Sequence, residues 1–230
     1  MGKPFYLVQK VENAADIYIF GDIVTERWFA EETSGSSLVD ELKQLGEVDR
    51  INVHIDSYGG SVSEGWAIYN ALKQHPAKVA TYADGFVASA ALYPFLAGDE
   101  RHASTLSAFY LHEVMSWGEG YAEDLRKAAD EAETMTDIGI GVFVERTDMD
   151  AETVKSLMEA ETWLTPAQAL EYGIATSVDA DKREKTQQSA RRQMLRQFFA
   201  AERPAAEPET KTEEKNEQTA SIMQAFAKMI

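Results

Sequence analysis

The chain has no cysteine among its 230 residues. That excludes a disulfide framework, a cysteine-held zinc site and a thiol nucleophile. It is also short of positive charge: 22 Lys and Arg stand against 39 Asp and Glu, a formal net charge of −17. Phosphate and anionic lipid are bound by clustered basic side chains, so this balance argues against a nucleic-acid or membrane-surface partner. No apolar run is long enough to span a bilayer, and residues 1–16 lack the apolar core of a signal peptide. The residues after Gly2 lack the Ser or Thr of a myristoylation signal. These absences fit a cytoplasmic protein. With 44% hydrophobic residues, the chain has enough apolar material for a sizeable core.

Residues 1–180 read as alternating strands and helices, which is the pattern of an α/β layer structure. Strands are predicted at 17–23, 50–57, 78–84 and 106–114. Helices are predicted at 37–46, with Leu38, Leu42 and Leu45 on one face and Gly46 as the stop, and at 61–75 after Gly59 and Gly60. A short helix over 89–98 contains Pro94, which removes a hydrogen bond and should kink it. A long helix is predicted over 122–147. Its first half is polar; its apolar half, IGIGVFV (138–144), is either core or a subunit contact, the contact being favoured. Asp150 is placed to cap the next helix. TPAQALEYG (165–173) carries a Thr165–Gln168 capping box, Pro166 at the first helical position and Gly173 after the last turn.

Beyond this region three further segments are expected. Residues 181–199 are helix-prone and basic, 200–220 are an acidic, Pro- and Glu-rich disordered linker, and 221–230 are a short amphipathic segment suited to a partner groove or to fraying.

The stretch ADGFVASAAL (83–92) sets Ser89 among small residues at the start of a helix. Such residues either pack tightly or leave clearance around a nucleophile. A serine nucleophile needs a base, a group to orient that base, and donors for the oxyanion. The chain has four histidines. His54 lies mid-strand and reads as structural, His75 ends a helix, and His102 lies in a polar turn and reads as solvated. His112, at the end of the apolar strand FYLHEV, is best placed to deliver a base to a sheet edge, although a structural imidazole fits the same position. Backbone donors are available from the DSYGGSV turn (56–62) and from the Ala90 amide at the helix start. The Gly-x-x-x-Ser spacing differs from the nucleophile elbow of lipases and esterases.

Taken together, IYIFGDI, INVHIDSYGGSVSEGWAIYNAL, GFVASAALYPFLAGDER, SAFYLHEV and ETWLTPAQALEYGIA, in that order, resemble the ClpP-type serine peptidases over residues 15 to 180. The DLRKAADEAE helix and "ETWLT" look most like the phage branch that processes capsid and scaffold proteins in head maturation. The resemblance implies a ClpP/crotonase-like fold of stacked βα units with a protruding long helix. It implies Ser89 as nucleophile, His112 as general base, and backbone N–H groups of Gly60 and Ala90 as the oxyanion hole. The third position falls on Glu161 where the family usually has Asp, with Glu159 as the neighbouring rival. Tyr58 replaces a common proline, and Glu113 a common Gln or Asn. No cofactor and no metal is implied. The partners implied are a polypeptide substrate, capsid or scaffold for the phage branch, and further copies of the chain in rings or stacked rings. Residues 181–230 would be free to contact capsid or scaffold. The location implied is the cytoplasm, or for a phage protein the host cytoplasm or procapsid interior. Three alternatives stand beside this reading: a housekeeping subunit served by an ATP-driven unfoldase, a crotonase-type enzyme acting on acyl-CoA thioesters, and a structural homologue without catalysis.

Overall fold

Period-two alternation in RINVHIDS builds the centre of the fold. In the computed structural model these residues form β5 (Arg50–Ser57), with Ile51, Val53 and Ile55 fully buried on one face. The structure describes residues 6–24 and 33–179. The segments expected at 181–199, 200–220 and 221–230 lie outside them.

Around β5 lie β1 (Tyr6–Val11), β2 (Ala14–Phe20), β6 (Lys78–Ala88), β7 (Glu100–Ser104) and β10 (Ser177–Asp179), in the order β1-β2-β5-β6-β7-β10. The β1–β2 pair is antiparallel and the rest of this path is parallel. A parallel sheet needs crossover segments. Here α1 (Gly35–Gln44) and α2 (Val62–Gln74) supply two of them. Leu38, Leu42, Ile68 and Leu72 from these helices join Ile17, Ile19, Ile51, Val53 and Ile55 in one core. Two short strands, β3 (Ile23–Val24) and β4 (Thr33–Ser34), pair with each other beside the main sheet.

The strand expected at 78–84 runs on to Ala88, and this extension positions the site. The first half of β6 pairs with β7, through Ala80–Ala83. Its second half, Phe86–Ala88, pairs instead with β8 (Ala108–Leu111). Next to β8 runs β9 (Thr162–Leu164), antiparallel. The register between β5 and β6 slips between Ile55 and Ser57, and the Asp56 carboxylate accepts from the Phe86 N–H at 2.9 Å there.

After β6 comes a single 3-10 turn (Ser89–Ala91) and then α3 (Leu92–Leu96), so the helix around Pro94 is one short piece. The long helix α4 spans Ala122–Arg146. Its apolar half divides: Ile140 and Phe143 are in the core, while Ile138 and Val144 face outward. Asp150 caps α5 (Ala151–Glu159) by accepting from Thr153 N–H at 2.8 Å, and the Thr165–Gln168 box closes both ways on α6 (Pro166–Glu171).

His102 departs from expectation. It lies in β7, half-buried, rather than in a solvated turn. Its ring completes a stack across four neighbouring strands: Tyr18 on His54 at 4.9 Å, His54 on Tyr82 at 4.7 Å, and Tyr82 on His102 at 4.8 Å. His54 also meets the buried Asp84 carboxylate at 2.8 Å, and His102 Nδ1 meets Ser177 Oγ at 2.8 Å. ERHAS is a strand because it pairs with β6 on one side and β10 on the other, and the ring stack lies along that pairing.

Candidate active site

The end of β6 delivers Ser89, and the end of β8 delivers the residue after Leu111. Because the two strands are neighbours with Ala88 opposite Tyr110, the side chains just beyond their ends converge. His112 Nε2 stands 2.7 Å from Ser89 Oγ, a short hydrogen bond between two half-buried groups. Ser89 has φ +54°, a left-handed backbone that non-glycine residues adopt at a cost. That conformation turns the chain out of the strand and into the 3-10 turn, leaving Oγ at the corner. Ser89 and His112 line one cleft together with Gly60, Ala90, Tyr93 and Trp163.

The glycine turn beside them is tied down by Ser57. Its hydroxyl donates to the Gly21 carbonyl oxygen and accepts from the Gly59 N–H at 3.0 Å. Ile23 then fixes the next step: its N–H donates to Gly59 O and its carbonyl accepts from Ser61 N–H, both at 2.7 Å. A parallel bridge of this kind uses the groups on either side of Gly60 and turns Gly60's own N–H away from Ile23. That N–H and the Ala90 N–H have no backbone partner among the described residues. Both residues line the cleft. Gly60 has φ +130°, and a Cβ there would collide with the Ile23 carbonyl.

Glu161 immediately precedes β9, whose first residue Thr162 pairs with Leu111, the residue before His112. Its backbone is left-handed, φ +49°, and its N–H donates to Met158 O at 3.0 Å. The side chain is exposed and makes no hydrogen bond to His112, whose Nδ1 has no partner among the described residues. Glu159, the rival, ion-pairs weakly with Lys155 at 3.9 Å on the surface of α5. So Ser89 and His112 are brought into contact, Gly60 and Ala90 line the same cleft, and Glu161 makes no bond to His112 and does not line that cleft.

Two positions that sequence reasoning passed over support the site. One is Ser57, whose signal was a serine two residues ahead of the first glycine. The other is Thr136 on α4, which accepts from the Val114 N–H at 3.0 Å and so pins the segment that follows His112. Nothing local marked Thr136. Among the described residues, no set of three or more His, Asp or Glu side chains converges as a metal site.

Comparison with known proteins adds four findings. The family model for Clp protease matches residues 9–182. An ATP-dependent Clp protease proteolytic subunit of Bacteroides thetaiotaomicron is 26% identical over 185 residues, covering 76% of this chain and 84% of that protein. The ATP-dependent Clp protease proteolytic subunit 1 of Mycobacterium bovis is 30% identical over 130 residues, 56% of this chain and 65% of its own. Among solved structures, a ClpP1 point mutant from Listeria monocytogenes superposes with a TM-score of 0.62 at 23% identity, covering 73% of this chain and 92% of that one, which is a likeness of fold.

Proposed function

The chain belongs to the Clp protease family, and from that premise we propose that it is a serine endopeptidase acting through Ser89 and His112. The observation that carries this reading is the 2.7 Å contact between Ser89 Oγ and His112 Nε2 at the mouth of a cleft. In the reaction, Ser89 Oγ attacks a peptide carbonyl carbon while His112 Nε2 takes the hydroxyl proton. The carbonyl oxygen becomes an oxyanion and accepts from the Gly60 and Ala90 N–H groups. As the tetrahedral intermediate collapses, His112 returns the proton to the leaving amine and the acyl–enzyme forms. Water, deprotonated by His112, then attacks the ester and releases Ser89. Glu161 is assigned to orient His112 through Nδ1.

The family's self-assembly into rings is part of the same reading. Leu125, Ile138 and Val144 along α4 are 48%, 52% and 42% exposed, apolar surface that a second copy would cover. Among the described residues no helix is long and apolar enough to cross a membrane, and the proposed location is the cytoplasm. Two settings for the activity follow from different observations. The DLRKAADEAE helix and the ETWLT stretch favour capsid or scaffold processing in phage head maturation. The relatives' names, ATP-dependent proteolytic subunits, favour a housekeeping subunit served by an unfoldase.

The test is intact mass after treatment with a fluorophosphonate, beside Ser89→Ala and His112→Ala. One adduct on the wild type and none on either variant is the expected outcome. No adduct on assembled wild-type protein overturns the peptidase reading and leaves the structural homologue.

A further inference from the structure

The cleft continues into a strip of aromatic rings that the mechanism above does not use. Tyr110 faces Trp163 across the β8–β9 ladder, and the two rings stack at 4.5 Å. Trp163 meets Phe86 edge-on at 5.7 Å, and Phe86 stacks on Tyr58 at 4.7 Å. At the other end Tyr110 stacks on the His112 imidazole at 5.2 Å, so the strip begins at the reacting pair. It is open to solvent: Tyr58 is 61% exposed, Trp163 49% and Phe86 37%. Rings held against one another in this way, mostly stacked, bring large, rigid contact area with little entropy left to lose.

The cleft into which the strip opens is lined by a single charged side chain, Glu113. Glu113 lines the cleft and is exposed, with no ion pair among the described residues, and no Lys or Arg lines the cleft with it. The faces of the rings carry the negative end of the aromatic quadrupole. The chain as a whole is at −17, which draws cations toward it. An aliphatic substrate side chain laid on this strip would gain the ring contact but would shield a carboxylate without pairing it. A cationic side chain satisfies both. Arginine does so better than lysine, because its plane stacks on rings and its fork meets a carboxylate with two donors.

We infer that this strip is a subsite for a basic side chain, arginine before lysine, on the polypeptide being cut next to the scissile bond. The inference rests on the peptidase reading above. The test uses internally quenched peptides that are identical except for one residue beside the cleaved bond: Arg, Lys, Leu, Phe or Glu. The Arg-to-Leu ratio of kcat/KM is read within each protein, so that general losses of activity cancel. For the wild type at low salt that ratio is expected at about five- to tenfold, the sum of an exposed cation–π contact and a surface ion pair, and it falls as salt is added. Glu113→Gln and Trp163→Leu are each expected to bring it severalfold toward one. Should Trp163→Leu fold poorly, Tyr58→Leu, which lies outside any strand, takes its place. Leu or Phe peptides cut as fast as Arg peptides by the wild type overturn the subsite, as does an unchanged ratio in Glu113→Gln. Fluorophosphonate labelling of the same wild-type preparation separates the two failures. Labelling without an Arg preference overturns the subsite alone, while no labelling overturns the peptidase reading and the subsite with it.

Discussion

Replacing Gly59 by alanine tests whether the glycine turn holds the nucleophile. The backbone there has φ +97°, where an L side chain costs about 1–3 kcal/mol. The new Cβ would also stand 2.6 Å from the Ala88 carbonyl oxygen, 2.7 Å from Ser89 Cβ and 2.8 Å from the Ala90 nitrogen. None of these is the free end of a flexible side chain. Two are backbone atoms of the turn that carries Ser89, and the third is the nucleophile's own Cβ. Restoring ordinary van der Waals contact takes a shift of about 1 Å, shared between the two turns. The Ser89–His112 bond at 2.7 Å has little slack. A displacement of half that size carries it to the edge of hydrogen-bonding range, and a 1 Å misplacement costs on the order of 100-fold in rate. Gly59→Ala is therefore expected to slow fluorophosphonate labelling about 30- to 100-fold. It should also lower the melting temperature by about 5–10 °C, from about 2–3 kcal/mol in a chain of this size. Gly46→Ala is the control. It has φ +69° with nothing within 4 Å of its added Cβ, so it bears the backbone cost alone and should label as the wild type does. Labelling of Gly59→Ala within about threefold of wild type, with the melting temperature down as stated, would refute the coupling between this turn and the nucleophile.

Two further outcomes concern stability. Arg101 donates to four carbonyls, Ile174 at 2.7 Å, Gly173 at 2.9 Å, Arg146 at 3.0 Å and Gly98 at 3.1 Å. It ties the end of α4 to the turns flanking the sheet, and Arg101→Met strands the buried Ile174 and Gly173 carbonyls, while Gly98 keeps its bond from Arg146 at 2.8 Å, at a cost of about 3 kcal/mol; a urea midpoint equal to wild type would contradict this. Lys78 and Arg50 hold the Glu100 carboxyl down from 4.5 to about 2. A depressed folded-state value means that the unfolded chain takes up the proton first as pH falls. The stabilisation is therefore whole above about 4.5 and lost by about 2. With 35% of the Glu100 side chain exposed, solvent screening reduces the contribution to about 1 kcal/mol. Glu100→Gln should lose that amount at pH 7 and flatten the acid limb of the stability profile; an acid limb as steep as wild type would count against the assignment.

Local signals made much of the fold legible. Period-two burial marked β5, and capping chemistry marked the starts of α5 and α6, because these depend on residues within a turn or two of each other. The pairing of Ser89 with His112 was legible only through the order of motifs, since the contact depends on two strand ends meeting. What escaped has distant causes. ERHAS reads as a turn in sequence, yet Glu100 binds Arg50 and Lys78 while His102 stacks on Tyr82, so the strand is made by its neighbours. The strand expected at 106–114 is only Ala108–Leu111 for a related reason: the pairing with β6 ends where Ser89 turns away. Thr136 lies 22 residues from Val114, and nothing short of the folded helix brings its hydroxyl to that N–H.

Glu161 shows how register adds to what a motif can say. The last ladder pair is Leu111 with Thr162, so His112 and Glu161 are the residues just beyond the paired strands, and the turn to a left-handed backbone at Glu161 ends the ladder there. A shorter carboxylate at that position has fewer torsions to fix. The longer glutamate must order one more torsion, and here its backbone is left-handed, φ +49°, and its side chain exposed. In the structure the Glu161 side chain is a surface carboxylate, and its proposed orienting role requires a different rotamer. Sequence spacing sees only the position. The chemistry depends on whether substrate, or a neighbouring copy of the chain, excludes water from that edge and makes the inward rotamer the better one.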